Sequence, residues 1–258
     1  MQIKKARKVL IVLNGLLIFF LGSCQKKTPA PTNEEVPATT LPAGTITSYD
    51  ALFACYKVHS RINGTYGPAT NNSYGYYSSE TIQNEAYSSS KLLHVGQVSL
   101  NGIRFKNGNA LVKNYYNDST AGGFVLPHNW KIGGGSGVDS FYYSVTTTAP
   151  EFEGQFALPD SMNISQGLNF TVKKLNNADF TYVFINGGPG STTFPSRLVA
   201  SKDSIIYFSP EQLNGLSISN NAYFNIQFYK DTYRQINGKK VNFREGLSFV
   251  NYSFKIKK

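Results

Sequence analysis

The chain has few of the residues from which metal centres are usually built. Among its 258 residues there are two cysteines and three histidines. None of the histidines, His59, His94 and His128, has a second His, Cys, Asp or Glu at metal-ligand spacing. The sequence therefore predicts no metal site and no cofactor. Cys55 lies within the apolar residues 52–56, which predicts a buried and inert thiol.

Charged residues are also scarce, at 16% of the chain, and helical periodicity is nearly absent. Only residues 80–86 and 210–213 have a locally helical pattern. Aromatic residues are abundant instead, with 17 Tyr and 18 Phe alongside 23 Gly. This composition is typical of half-buried strands joined by tight turns. We therefore expect an all-β protein.

The N-terminus has the order of a secretory signal. A basic cluster at residues 4–8 precedes the apolar residues 9–21, and small residues follow. Residues 21–24, Leu-Gly-Ser-Cys, resemble the lipobox of bacterial lipoproteins. The resemblance implies that the signal peptide is residues 1–23 and that Cys24 carries the lipid that attaches the protein to a membrane. A transmembrane anchor is the alternative, but the apolar run is shorter than the roughly 20 residues that span a bilayer.

The rest of the chain divides by composition. Residues 24–44 are rich in Pro and Thr and have too little apolar surface to fold, so we expect a disordered tether. Two strand-rich blocks follow, at residues 45–148 and 149–258, which we interpret as tandem β domains. The second block has about seven short strands with turns every 8 to 12 residues, which predicts an immunoglobulin-like or fibronectin-like sandwich. Asn101-Gly102 and Asn237-Gly238 predict tight hairpin turns.

Charge argues against nucleic acid as a partner. Residues 1–23 hold four basic and no acidic residues, so their removal lowers the net charge from +10 to +6. The remaining basic residues are scattered rather than gathered on one element. Acylation of Cys24 would also leave Cys55 without a partner within the chain, so no disulfide is expected.

No sequence motif for catalysis is present. The acidic residues are mostly isolated, and we interpret the pair Glu151 and Glu153 as a solvent-facing strand edge. A Cys-His or Ser-His-Asp site assembled from distant residues stays open.

The candidate binding residues are three tyrosines, Tyr74, Tyr76 and Tyr77, in a Ser-, Asn- and Gly-rich segment expected to be a loop. Exposed Tyr faces suit a sugar ring or a protein partner. The alternative is that these rings cover the open end of the first domain.

Several motifs along the chain are similar to those of a large set of uncharacterised lipoproteins from Bacteroidota. They lie, besides the lipobox, at residues 97–102, 129–134, 140–143 and 235–240. The resemblance implies a lipid-anchored protein of the outer membrane. In that lineage surface export is associated with an acidic run after the lipidated Cys, and Gln25-Lys26-Lys27 here favours a periplasm-facing position. We expect a non-catalytic binding or structural role with a glycan or an envelope protein as partner. The alternative is an envelope hydrolase that acts on carbohydrate.

Overall fold

The computed structural model describes residues 48–83, 88–108, 113–118, 126–152, 156–172, 175–200 and 204–258. Within these ranges the chain forms sixteen β-strands, one short 3₁₀ helix and one α-helix of four residues. The all-β class predicted from composition is confirmed. Neither helix in the described ranges has the length and apolar character needed to cross a bilayer.

The first half of the described chain contributes nine strands. They are β1 (Tyr49–Ile62), β2 (Thr65–Tyr66), β3 (Thr70–Ile82), β4 (Val98–Leu100), β5 (Ile103–Arg104), β6 (Lys106–Asn107), β7 (Tyr116–Asp118), β8 (His128–Ile132) and β9 (Phe141–Val145). The 3₁₀ helix at Ser89–Lys91 lies between β3 and β4. The helical pattern predicted at residues 80–86 is wrong for its first part, because residues 80–82 end strand β3.

The second half contributes seven strands and the α-helix. The strands are β10 (Ser161–Asn163), β11 (Leu168–Val172), β12 (Phe180–Asn186), β13 (Ser196–Ala200), β14 (Ser204–Phe208), β15 (Ser219–Ile236) and β16 (Lys239–Lys257). Helix α1 (Pro210–Leu213) lies where the sequence predicts it, and Ser209 caps it with a side-chain hydrogen bond from the Gln212 backbone N–H.

The strands form one large sheet and two small ones. The ten-stranded sheet has the order β13-β12-β15-β16-β1-β3-β7-β6, with β10 paired to β16 and β2 paired to β1. The small sheets are β5-β4-β8-β9 and β11-β14. Strands β15 and β16 are antiparallel neighbours, joined by a turn in which Asn237 and Gly238 have φ values of 49° and 75°. Two consecutive positive φ angles are the requirement of a type I′ hairpin, so this predicted turn is confirmed.

The large sheet crosses the predicted domain boundary. Strand β1 precedes residue 148 and β16 follows it, yet the two are parallel partners from Ala51 and Val241 to Arg61 and Asn251. The ten-stranded sheet is therefore not divided between residues 45–148 and 149–258. Independent folding of the two blocks stays a prediction.

Two hydrophobic cores lie on one face of the large sheet. Because side chains alternate along a strand, the odd-numbered residues of β16 share a face. Phe243 belongs to the first core, under the β5-β4-β8-β9 sheet, together with Phe53 and Trp130. Phe249 belongs to the second core, which the β11-β14 sheet covers. The result is a β-sandwich-like arrangement with two separate covers.

Candidate functional site

A buried polar cluster lies between the two cores. Cys55 of β1 and Glu245 of β16 are register partners on the inner face of the large sheet. His128, the first residue of β8, approaches them from the opposing small sheet. Cys55 and His128 are 0% exposed and Glu245 is 1% exposed. We call these three residues the Cys-His-Glu cluster.

The cluster is a chain of contacts in the order thiol, imidazole, carboxylate. His128 Nδ1 lies 2.8 Å from Glu245 Oε2 and 2.9 Å from Oε1, so its N–H donates to the carboxylate. His128 Nε2 lies 3.9 Å from Cys55 Sγ on the other side of the ring. The Ser73 hydroxyl of β3 donates to the same sulfur at 3.2 Å. Every member is therefore held from a different strand.

Burial and pairing act in opposite directions on the charges of this cluster. Burial lowers the pKa of His128, but hydrogen bonds to Cys55 and Glu245 and the Glu245 charge outweigh it and raise the pKa to about 10. Burial raises the pKa of Glu245, and His128 offsets part of that shift. Both shifts favour retention of a proton. Because the two groups are in direct hydrogen-bond contact, the imidazole and the carboxylate titrate as one coupled pair.

A cavity of about 320 Å³ opens beside the cluster. His128 and Glu245 contribute to its lining, and Lys57 and His59 extend it along the inner face of β1. The segment that follows β9 forms another wall. The lining residues are Lys57, His59, Leu126, His128, Thr148, Ala149, Pro150, Glu151, Phe152, Glu245 and Leu247. We call this space the junction cavity.

The aromatic wall of the junction cavity is held in place by the second core. The His59 ring stacks on Phe249 with centroids 5.1 Å apart and an interplanar angle of 19°. The Phe152 ring meets Phe249 edge-on at 5.4 Å. Both rings are half-buried, whereas Lys57 and Glu151 are exposed. The cavity therefore combines apolar ring surface, two opposite charges near solvent and a buried polar pair.

The order thiol, imidazole, carboxylate is also that of a nucleophile, a general base and the acid that orients the base. A nucleophile must be reached by its substrate, and Cys55 is neither exposed nor among the lining residues. A molecule in the junction cavity contacts His128 and Glu245 instead. Of the three cluster residues, only the imidazole and the carboxylate are therefore available to such a molecule for acid–base chemistry or hydrogen bonding.

The burial predicted for Cys55 is confirmed, but spacing along the sequence missed its neighbours. His128 lies 73 residues after Cys55 and 117 residues before Glu245. The three meet only because β1 and β16 pair in parallel and β8 packs against both. No local pattern in the sequence marks this pairing.

The predicted acidic edge is found only in part. Glu151 is exposed, as expected, but it lies between β9 and β10 rather than on a strand, and it also lines the junction cavity. Glu153 lies outside the described residues, as does Cys24, the predicted lipid attachment residue.

The tyrosine segment is a strand, and the loop prediction is wrong there. Tyr74, Tyr76 and Tyr77 belong to β3, where Tyr76 and Tyr77 are 2% and 1% exposed. Tyr74 and Tyr76 stack with Tyr115, at centroid distances of 5.5 Å and 5.7 Å. Tyr76 and Tyr77 therefore do not present exposed faces to a ligand. Turn-forming Ser, Asn and Gly hid the strand because pairing with β1 and β7 outweighs their low strand propensity.

Comparison with known proteins adds no relative: no family model matches this chain, and a search of curated proteins finds no significant match.

Proposed function

We propose that this chain is a lipid-anchored protein of the cell envelope with a non-catalytic binding role, and that its ligand is a short glycan bound in the junction cavity. The observation that carries the proposal is the composition of that cavity: ring surface from His59 and Phe152, charges from Lys57 and Glu151, and a polar floor. A mostly preformed cavity with a few convergent polar groups is the usual form of a small-molecule site.

The size and the walls of the cavity favour a sugar. Its volume of about 320 Å³ lies near the lower end of ligand pockets, which suits one or two sugar rings rather than a long segment of polymer. Aromatic faces contact the apolar side of a sugar ring, and Lys57 and Glu151 offer a donor and an acceptor to its hydroxyl groups. A protein partner would instead need a larger continuous surface.

The proposed localisation is based on the N-terminal sequence. The signal-like residues 1–23 and the Leu-Gly-Ser-Cys ending support acylation of Cys24 and anchoring in the outer membrane, facing the periplasm. The Pro- and Thr-rich residues 24–44 then act as a tether. An immunoglobulin-like or fibronectin-like sandwich architecture for residues 149–258 is part of the same proposal.

Glycan binding is tested by thermal shift and calorimetry on the full-length protein with a panel of mono- and oligosaccharides. A ligand that binds only the folded state raises the melting temperature, and Lys57→Ala and Glu151→Gln should weaken that shift. Lys106→Ala and Glu80→Gln are matched controls, because both residues are exposed and neither lines the cavity. Absence of any shift with the wild type, or equal shifts in all four variants, would overturn the proposal.

A second candidate is a hydrolase that acts on carbohydrate, because Glu151 and Glu245 line the same cavity. Glycoside hydrolysis uses two carboxyl groups, one of which donates a proton and needs a raised pKa. Burial raises the pKa of Glu245 in that direction. This candidate requires that a glycan which binds is also cleaved, with loss of reducing-end release in both Glu151→Gln and Glu245→Gln. Binding without cleavage leaves the binding role.

A further inference from the structure

We propose that the Cys-His-Glu cluster is a zinc site, in which Cys55 Sγ and His128 Nε2 are the protein ligands and Glu245 holds the imidazole. This inference does not depend on glycan binding. Thiolate and imidazole are the ligands that zinc prefers in proteins, and one ligand atom from each of the three residues lies within 4.8 Å of the others.

The separation of sulfur and nitrogen fits a bridging ion. The distance between Cys55 Sγ and His128 Nε2 is 3.9 Å. Zinc lies about 2.3 Å from a thiolate sulfur and about 2.0 Å from an imidazole nitrogen. An ion therefore fits between the two atoms with a bent geometry and little movement of either side chain. The Ser73 hydroxyl, 3.2 Å from the sulfur, adds an oxygen beside the same gap.

Glu245 supplies the partner that a zinc-bound histidine usually has. A ligating imidazole donates its other N–H to a carboxylate or carbonyl, which fixes the ring and its tautomer. The contact of 2.8 Å between His128 Nδ1 and Glu245 has this form and directs Nε2 toward the thiol. The carboxylate thereby acts as a positioning group.

A contribution to stability does not explain why the Cys-His-Glu cluster is polar. Buried ion pairs are often replaced by apolar residues without loss of stability, whereas their desolvation is costly. The positions before and after Glu245 on the same face of β16 are apolar, Phe243 and Leu247. A polar cluster placed between two apolar cores, at the floor of a cavity, is the pattern of a functional site.

The junction cavity borders the cluster on one side. His128 and Glu245 contribute to its lining and Cys55 does not, so an ion from the cavity must pass the His128–Glu245 pair to reach the sulfur. Water that enters with the ion would fill the coordination positions that the protein does not occupy. Zinc binds thiolate and neutral imidazole, so binding releases protons and the affinity for zinc should rise with pH.

The test measures metal binding by the full-length protein with Zn²⁺ and with Co²⁺ as a spectroscopic substitute. We expect one zinc per chain by calorimetry and a thiolate-to-cobalt charge-transfer band in the near ultraviolet. Cys55→Ser should remove the band, and His128→Ala should abolish tight binding. Glu245→Gln should weaken zinc binding about 10- to 100-fold, as loss of a supporting carboxylate does elsewhere. His94→Ala is the matched control, since His94 is exposed and outside the cluster.

The wild-type cobalt spectrum decides the matter even if a variant fails to fold. Failure of the folded protein to bind zinc would overturn the proposal. Zinc binding without the sulfur band, or with equal affinity in Cys55→Ser, would place the ion elsewhere and also overturn it. A negative glycan screen would leave these results unaffected, so failure of the zinc site and of the proposed function are distinguishable.

Discussion

The two hydrophobic cores on the inner face of the large sheet differ in how they are covered. The first core is covered by four strands. Trp130 in this core is 0% exposed, and the centroid of its ring lies 5.3 Å from that of Phe53. The sheet that covers the second core has two strands, and the half-buried ring of Phe152 packs against this core. The space between the covers contains the polar cluster and the junction cavity.

This difference shows how a site arises in a protein without a catalytic motif. Strands β15 and β16 contribute to both cores, so their apolar alternation would continue unbroken if burial were its only requirement. It is interrupted on β16 by Glu245, and on β15 by Lys230, Thr232 and Arg234, at the level where the first cover ends with His128 and the second has not begun. The polar residues stand where no apolar cover is available.

The largest expected effect on stability comes from Phe249→Ala. This variant tests whether the two cores unfold together. Phe249 is 1% exposed and stacks on Phe156 at 5.0 Å, so the change should cost about 3 to 5 kcal/mol of unfolding free energy. Trp130 is the only tryptophan, so its fluorescence reports the first core alone. Because the long strands are shared, we expect the fluorescence midpoint in denaturant to fall together with the circular dichroism midpoint.

The control for this change is Ile205→Ala, since Ile205 is 70% exposed and should alter stability by less than about 0.5 kcal/mol. A Phe249→Ala protein whose Trp130 transition stays in place would show that the cores unfold separately. That result would support the boundary predicted between residues 148 and 149.

Removal of one member of the buried His128–Glu245 pair should lower the unfolding free energy by a comparable or slightly smaller amount. Glu245→Ala leaves His128 buried without its carboxylate and should cost about 3 to 5 kcal/mol, measured by chemical denaturation at pH 7 without added metal. Replacement of both residues by leucine removes the unpaired charge and should restore most of the loss. A double variant no more stable than Glu245→Ala would show that lost packing, not lost pairing, is the cause.

The pH dependence of the unfolding free energy should distinguish the Cys-His-Glu cluster from the apolar cores. Because its partners raise the folded-state pKa of His128 to about 10 from the usual 6.5, the protonated pair stabilises the fold fully below pH 6.5. That contribution is lost as the pH rises from about 6.5 through 10. Unfolding free energies measured across this range without metal should fall in the wild type more than in the leucine double variant. Parallel curves would contradict a titrating pair.

The smallest effect concerns the turn between the two longest strands. Gly238 has a φ of +75°, and an added Cβ would meet nothing within 4 Å. Gly238→Ala should therefore cost only the backbone strain of a left-handed residue, about 1 to 2 kcal/mol, by thermal or chemical denaturation. Gly238→Asn should lose less, because Asn tolerates this conformation. Equal losses in the two variants would argue against strain as the cause.

Local signals were reliable where the structure follows local rules. The Asn237-Gly238 turn, helix α1 and the burial of Cys55 each depend on a few adjacent residues, and each is found as predicted. The tyrosine segment failed, because its strand is stabilised by pairing with β1 and β7 rather than by its own composition. The contacts of His128 were not predicted for a similar reason, since its partners lie on strands distant in sequence.

The sequence by itself determined the all-β class and the turns, because strand propensity and glycine conformation act over a few residues. Only the tertiary structure decided that β1 and β16 lie side by side in parallel, which places Cys55 next to Glu245. Parallel strands are joined by long connections, so their register is set by the packing of the whole sheet and not by residues near either strand. The candidate site is built on that register.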